Sequence, residues 1–207
     1  MREHMRLYLV ADPAFAGTRR LPDIVAAAVR GGVTMVQLRD KGDHVGRFVQ
    51  EARAVRQVLE GTGVPLIIND RVDVAHAIGA DGVHLGQRDL PVRDARRLLG
   101  REAIIGLSIE QAAQLAHADL AAVDYLGAGP VFATATKPDA APPLGLDGLA
   151  AIRTACGLPV VAIGGLSLDN AAGVIAAGAD GIAVVSAVMA AHDVTHAAAQ
   201  LRARIGG

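Results

Sequence analysis

The stretch "AIGADGVHLG" (77–86) returns almost unchanged as "AAGADGIAVVS" (176–186). In both copies a helical segment ends in Gly-Ala-Asp-Gly and an apolar strand-like run follows at once. Glycine supplies the C-terminal cap and the tight helix-to-strand turn. "VRGGVTMVQL" (29–38) is a looser third copy. A helix-then-strand unit recurring along one chain predicts alternating elements and a parallel sheet.

Working outward from the repeat, short aliphatic runs bounded by Gly, Pro, Asp or Asn predict eight strands, over 7–12, 34–40, 65–70, 82–86, 103–109, 124–129, 159–165 and 181–188. Segments with helical spacing lie between them, as in "DHVGRFVQEARAVRQVLEG" (43–61) and "PVRDARRLLG" (91–100), so a helix is expected after every strand. The strands are continuously apolar, as in a parallel sheet covered on both faces. A flavodoxin-like or Rossmann sheet is the competing solution. No G-x-G-x-x-G follows the first strand, and eight strands without a composition break favour closure. The expectation is α/β: one (β/α)8 TIM-barrel domain over 1–207, compact for this architecture.

Composition removes several function classes. A formal net charge of −1 and 2% aromatic residues, without tryptophan, leave neither a basic footprint nor stacking platforms, so no nucleic-acid partner is expected. The most hydrophobic stretch, "AAGVIAAGADGIAVVSAVMAA" (171–191), is broken by Asp180 and three glycines and reads as helix, turn and strand rather than a membrane span. The first apolar run stops at Asp12, too short for a secretory h-region, which points to the cytoplasm. The lone Cys156 lies in a helical pattern without a His or second thiol nearby and reads as an inert buried thiol. An alanine-rich surface is compatible with a homo-oligomer without specifying one.

The basic residues are eighteen arginines and two lysines, Lys41 and Lys137. A chain that uses arginine for nearly every surface cation makes its two lysines suspects. In a parallel barrel, the C-terminal ends of all strands converge on one mouth. Gln37, Arg39, Asp40 and Lys41 follow the second predicted strand, Asn69 and Asp70 the third, and Gln87, Arg88 and Asp89 the fourth. Ser108 ends the fifth, and the loop after the sixth carries Thr134, Thr136 and Lys137. Gly164-Gly165 end the seventh, and Val185-Ser186 belong to the eighth. Both lysines fall in this set.

Asp70 and Asp89 end neighbouring strands, so their carboxylates can share a hard cation. Two carboxylates without His or thiolate partners suit Mg2+ over Zn2+. Arg39, Lys41 and Lys137 can bind phosphates beside that cation. On the far side, Gly164-Gly165 and the segment after Val185 can present backbone to a second anion, where this fold usually holds a monophosphate. Simpler readings exist for each residue. Asp70 and Asp89 can cap the following helices. Asp81 and Asp180 read as caps or solvated positions, and His84 as a satisfied structural histidine.

From "LYLVAD" to "AVVSAV" the chain resembles the thiamine phosphate synthases, through "QLRDK", "LIIND", "DGVHLGQRDLP", "GLS", "YLGAGPVFATATKPDA" and "VAIGG". The resemblance implies a (β/α)8 barrel that joins hydroxymethylpyrimidine diphosphate to hydroxyethylthiazole phosphate with Mg2+, releasing pyrophosphate. It implies that Gln37, Leu38, Arg39, Asp40, Lys41, Asn69, Ser108 and Lys137 bind the pyrimidine diphosphate, with Arg39, Lys41, Ser108 and Lys137 the catalytic candidates. Asp70 and Asp89 would hold Mg2+. Thr134, Ala135, Thr136, Gly165, Val185 and Ser186 would hold the thiazole phosphate. Asp40 stands where many members carry glutamate, and Ala135 and Pro138 where polar or basic residues are common. The implied partners are these small molecules alone. The alternatives are a related thiazole tautomerase, expected to lose the diphosphate half of the site, and a non-catalytic phosphate-binding barrel, expected to lose the metal carboxylates. A phosphosugar isomerase barrel would want a Glu, Lys or His base, and no glutamate is expected at any strand end.

Overall fold

The computed structural model describes residues 1–137 and 140–206. Eight parallel strands close into a barrel in sequence order: β1 (Leu7–Ala11), β2 (Met35–Leu38), β3 (Leu66–Asn69), β4 (Gly82–Leu85), β5 (Ile104–Ile109), β6 (Tyr125–Ala128), β7 (Val160–Ile163) and β8 (Gly181–Val184). β8 pairs back onto β1, with Tyr8 opposite Ala183. Each strand lies within its predicted run. The eighth run overreaches: β8 stops at Val184, and Ser186–Met189 form a helical turn.

The helices are α1 (Leu21–Arg30), α2 (Val45–Leu59), α3 (Val72–Ile78), α4 (Val92–Leu99), α5 (Gly145–Ala155), α6 (Ala171–Ala176), α7 (Ser186–Met189) and α8 (Val194–Arg204). A helix does not follow every strand, contrary to the sequence expectation. Between β5 and β6 the chain makes two 3-10 turns, Ala112–Ala116 and Leu120–Ala122. Leu115, Leu120 and Ala122 are too few to give that segment an amphipathic face. A capping box between Gln111 and Gln114 closes its first turn instead. Among the described residues no helix is long and apolar enough to cross a membrane. Cys156, expected to be buried, is half-buried at the end of α5.

Period-two alternation divides each strand between two cores. Leu7, Leu9, Val36, Leu38 and Val83 face the helices in the larger cluster. Tyr8, Val10, Met35, Ile67, Tyr125, Val161 and Ala183 fill the barrel interior. The repeat has its own role at the barrel floor. The Leu66 N–H donates to Asp81 (2.7 Å), the Ile105 N–H to Asp124 (2.7 Å), and the Val160 N–H to Asp180 (2.8 Å). The Leu7 N–H donates likewise to the Thr34 hydroxyl (3.0 Å). The residue before each even-numbered strand thus satisfies a backbone donor at the start of the odd-numbered strand before it. Asp81 and Asp180, read from sequence as caps or solvated positions, are strand-end acceptors. Buried N–H groups left unpaired would be costly. Gly82 and Gly181 complete the motif, because a Cβ there would run into the backbone of Ile104 or Met5.

Candidate active site

The interior side chains stop short of the C-terminal end of the barrel and leave a cavity of about 830 Å³. Gln37, Arg39, Lys41, Asn69 and Asp70 line it from β2 and β3, and Asp89, Ser108 and Lys137 from the following loops and β5. Thr134, Thr136, Gly165, Val185 and Ser186 line the opposite side. Three of the residues singled out from sequence do not line it. Leu38 is fully buried against the helices, because the pleat that turns Gln37 inward turns its neighbour outward. The Asp40 carboxylate accepts the Gly42 N–H (2.8 Å) and borders a separate shallow groove with His44 and Arg47. Ala135 is exposed. Pro138 lies outside the described residues.

Asp70 and Asp89 do not cap helices. The N-cap positions of α3 and α4 are Arg71 and Pro91, neither helix has a side-chain cap, and both aspartates point elsewhere. Asp89 accepts the Gly86 N–H (2.6 Å), and its carboxyl lies close enough to that of Asp70 for the two to influence each other's charge. Burial, and then Asp70 itself, push the Asp89 carboxyl above its ordinary value. Asp70 has φ +61°, the one non-glycine positive φ among the described residues. Left-handed backbone is disfavoured for a residue with a side chain and is tolerated best by Asp and Asn. Here it turns the carboxylate back over the barrel instead of onward into α3.

Three cations of the mouth carry carboxylate partners. Arg39 pairs with Asp12, Lys41 with Asp70 (2.5 Å) and Lys137 with Glu110 (3.6 Å). Two of these acids are additions to the sequence reading. Asp12 follows β1, is 5% exposed and also accepts the Ala14 N–H (2.9 Å). It stands in "LYLVAD", so the strand-end logic that found Asp70 applied to it equally. Glu110 directly follows β5 and lines the cavity, which corrects the expectation that no glutamate ends a strand. Its carboxylate is engaged by Lys137.

Beneath the charged rim runs a chain of neutral hydrogen bonds. Gln37 Nε2 donates to the Tyr8 hydroxyl (2.9 Å), which is 2.9 Å from the Tyr125 hydroxyl. Tyr125 in turn meets His84 Nδ1 (2.9 Å), and His84 Nε2 meets Ser108 Oγ (2.9 Å). All five residues border the cavity. Burial lowers the His84 pKa to about 4, against a smaller opposing pull from Asp89, so the imidazole is neutral. Burial also raises both tyrosines well above their ordinary value. His84 is thus satisfied, as the plainer reading held, and it also borders the cavity. Sequence reasoning missed Tyr8 and Tyr125, although they are the only two tyrosines of the chain.

On the β6–β8 side, Gly164 (φ +98°) and Gly165 (φ +66°) require glycine, and a Cβ on Gly165 would strike Phe132 and the Ala133 carbonyl. The Phe132 N–H donates to the Gly164 carbonyl (3.0 Å), which draws the Thr134–Thr136 loop against the end of β7. The first N–H groups of α7, from Ser186, have no acceptor within the helix. Hydroxyls and amides without acidic side chains suit an anion here. Among the described residues no group of three or more His, Cys, Asp or Glu converges on a metal position. The Asp70–Asp89 pair alone fits a hard divalent cation whose remaining positions are filled by water and ligand oxygens.

Comparison with known proteins identifies the family and the fold. The family profile described as thiamine monophosphate synthase matches residues 7–188. The thiamine-phosphate synthase of Albidiferax ferrireducens is 54% identical over 198 residues, covering 96% of this chain and 90% of the relative. That of Chloroflexus aurantiacus is 53% identical over 200 residues, covering 97% and 92%. A solved structure, thiamine phosphate pyrophosphorylase from Pyrococcus furiosus, superposes with a TM-score of 0.87 at 37% identity, covering 99% of this chain and 96% of that one. An orotidine 5'-phosphate decarboxylase from Pyrococcus horikoshii, at 20% identity and a TM-score of 0.71, shares the barrel fold. With the profile spanning most of the chain and relatives more than half identical along nearly all of it, this chain belongs to the thiamine monophosphate synthase family.

Proposed function

We propose that the β2–β5 side of the cavity binds the diphosphate of an aminopyrimidine and that the β6–β8 side binds a thiazole phosphate. The activity is that of the family, thiamine phosphate synthesis, a transferase reaction. The observation that carries the division into two halves is the Asp70–Asp89 pair, set beside Lys41 and across the mouth from a side built of hydroxyls and glycine backbone.

In this reaction the bond from the pyrimidine methylene carbon to the diphosphate oxygen breaks. A bond from that carbon to the thiazole nitrogen forms, and pyrophosphate leaves. The aminopyrimidine can stabilise a cation at that carbon, so the C–O bond ionises first. Held by Asp70 and Asp89, Mg2+ would neutralise charge on the departing diphosphate. Lys41 and Lys137 exchange their carboxylate partners for phosphate oxygens, while Arg39, kept in place by Asp12 through one nitrogen, turns its remaining N–H groups to them, which concentrates positive charge where negative charge develops. Thr134, Thr136, Gly165 and Ser186 fix the thiazole phosphate and hold the ring nitrogen in line. That nitrogen carries no proton to remove, so the site needs no general base, in keeping with a neutral, fully engaged His84.

The test is to incubate the purified protein with both substrates, with and without Mg2+, and to follow thiamine phosphate and pyrophosphate together. Equal release of both products that stops on chelation is the expected result. Turnover unaffected by chelator would overturn the role given to the aspartates. Retention of Lys41, Asp70, Asp89 and Lys137 speaks against a tautomerase or a non-catalytic barrel.

A further inference from the structure

The chain of hydrogen bonds at the bottom of the cavity links side chains from five strands: Gln37 (β2), Tyr8 (β1), Tyr125 (β6), His84 (β4) and Ser108 (β5). The space it occupies is built for it. Gly106 and Gly127 lie on the flanking strands, and a methyl group on Gly106 would overlap the Tyr125 ring and His84 Nδ1. One on Gly127 would press on the His84 ring. Both ends of the chain, Gln37 and Ser108, border the cavity.

Each hydroxyl in the chain has one proton, and a neutral imidazole has one N–H. With the Gln37 amide nitrogen on Tyr8, every later bond has only one direction. Tyr8 accepts from Gln37, and the Tyr125 oxygen is the one remaining acceptor among its described partners. Tyr125 then donates to His84 Nδ1, and His84 Nε2–H donates to Ser108 Oγ. The Ser108 hydroxyl proton is left to point into the cavity. Turning the Gln37 amide over would reverse every proton, place the imidazole hydrogen on Nδ1 and make Ser108 an acceptor. Burial enforces the all-or-none order, because a buried donor facing a donor is costly.

We propose that Tyr125, backed by Tyr8, is a positioning residue: through this one-way chain it holds His84 as the Nε2–H tautomer and makes Ser108 an obligatory hydrogen-bond donor to an acceptor atom of the substrate. The inference rests on the reading that the pyrimidine diphosphate sits over Gln37 and Ser108. Neither tyrosine needs to touch the reacting atoms, since their effect passes through His84 and Ser108.

The experiment has two arms on the full chain. In the first, nitrogen-15 NMR of the imidazoles, with the His84 signals assigned by comparison with His84→Gln, reads the tautomer in the free protein. The expected result is Nε2–H in the wild type and a mixture of tautomers in Tyr125→Phe. In the second arm, Tyr125→Phe should lower kcat by about tenfold, the scale of one lost hydrogen bond, with KM for the diphosphate within about twofold. Added to Ser108→Ala, the same change should cost less than about twofold, because the two act in series. An Nδ1–H tautomer in the wild type, an unchanged tautomer in Tyr125→Phe, or additive kinetic losses would overturn the proposal. If Tyr125→Phe does not fold, Tyr8→Phe is read by the same criteria, and the wild-type tautomer still decides. The NMR arm needs no substrate, so a protein that makes no thiamine phosphate would sink the functional reading while leaving this inference to the tautomer.

Discussion

The carboxyl of Asp89, anchored by the Gly86 N–H, faces the carboxyl of Asp70, and that pair sits beside Lys41 at one edge of the cavity. Two acids in contact disfavour each other's charge unless a cation joins them. Asp70→Asn and Asp89→Asn should each lower Mg2+-dependent turnover by at least about a hundredfold. Neither should destabilise the fold. The site is open enough to water that relief of repulsion should raise stability by at most about 1 kcal/mol. Urea unfolding beside a Mg2+ titration of activity separates the two effects, and a large loss of stability would contradict this account of Asp70.

The neutral, buried His84 predicts acid sensitivity. Its folded-state pKa of about 4 lies below the ordinary 6.5, so between those values the unfolded chain binds the extra proton. The full contribution is present above pH 6.5 and is lost as pH falls toward 4, to a limit of about 3 kcal/mol. Asp89, whose carboxyl is shifted upward, works in the opposite sense, stabilising the fold as it becomes protonated. Denaturant unfolding from pH 7 to 4 should therefore show a shallower decline for His84→Gln than for the wild type. Parallel curves would argue that His84 takes up its proton without leaving the chain of hydrogen bonds.

Lys137 and Glu110 form an open ion pair at 3.6 Å with both side chains well exposed, a type that adds little stability. Lys137→Ala should stay within about 0.5 kcal/mol of the wild type in thermal unfolding. It should raise KM for the diphosphate substrate or lower kcat by about tenfold or more, since a charge-assisted hydrogen bond is lost. Glu110→Ala, which frees the lysine, should leave turnover much closer to the wild type.

Asp12 is nearly buried, holds the Ala14 N–H and pairs with Arg39. Asp12→Ala should cost about 1–3 kcal/mol of stability, because a part-buried guanidinium and an amide both lose an acceptor. Binding of the diphosphate should weaken as Arg39 loses its anchor. Calorimetric titration with the pyrimidine diphosphate checks this, and unchanged affinity would show that Arg39 keeps its position without Asp12.

Much of this was legible beforehand, for reasons that can be named. Parallel strands buried on both faces read as unbroken apolar runs, and Gly79 and Gly178, at positive φ, mark where helices give way to turns. Barrel geometry gathers strand ends whatever their separation along the chain, which is why Lys41, Asp70, Asp89 and Lys137 could be brought together on paper. Other features were closed to that reasoning. The two 3-10 turns replace a helix where the apolar residues are too sparse for one, a difference of degree that spacing alone does not reveal. Leu38 lies between Gln37 and Arg39 in a charged-looking motif, yet the pleat sends it to the helices.

The sequence by itself determined the eight strands, the closure into a barrel, the family and most of the charged residues at the mouth, because each depends on local preference or strand order. Only the tertiary structure decided which of those residues face one another. The pairings of Arg39 with Asp12 and Lys137 with Glu110, and the chain from Gln37 through Tyr8, Tyr125 and His84 to Ser108, join residues that belong to or follow different strands. Such contacts are set by strand register and by the room that Gly106 and Gly127 leave inside the barrel, and neither exists until the sheet has closed.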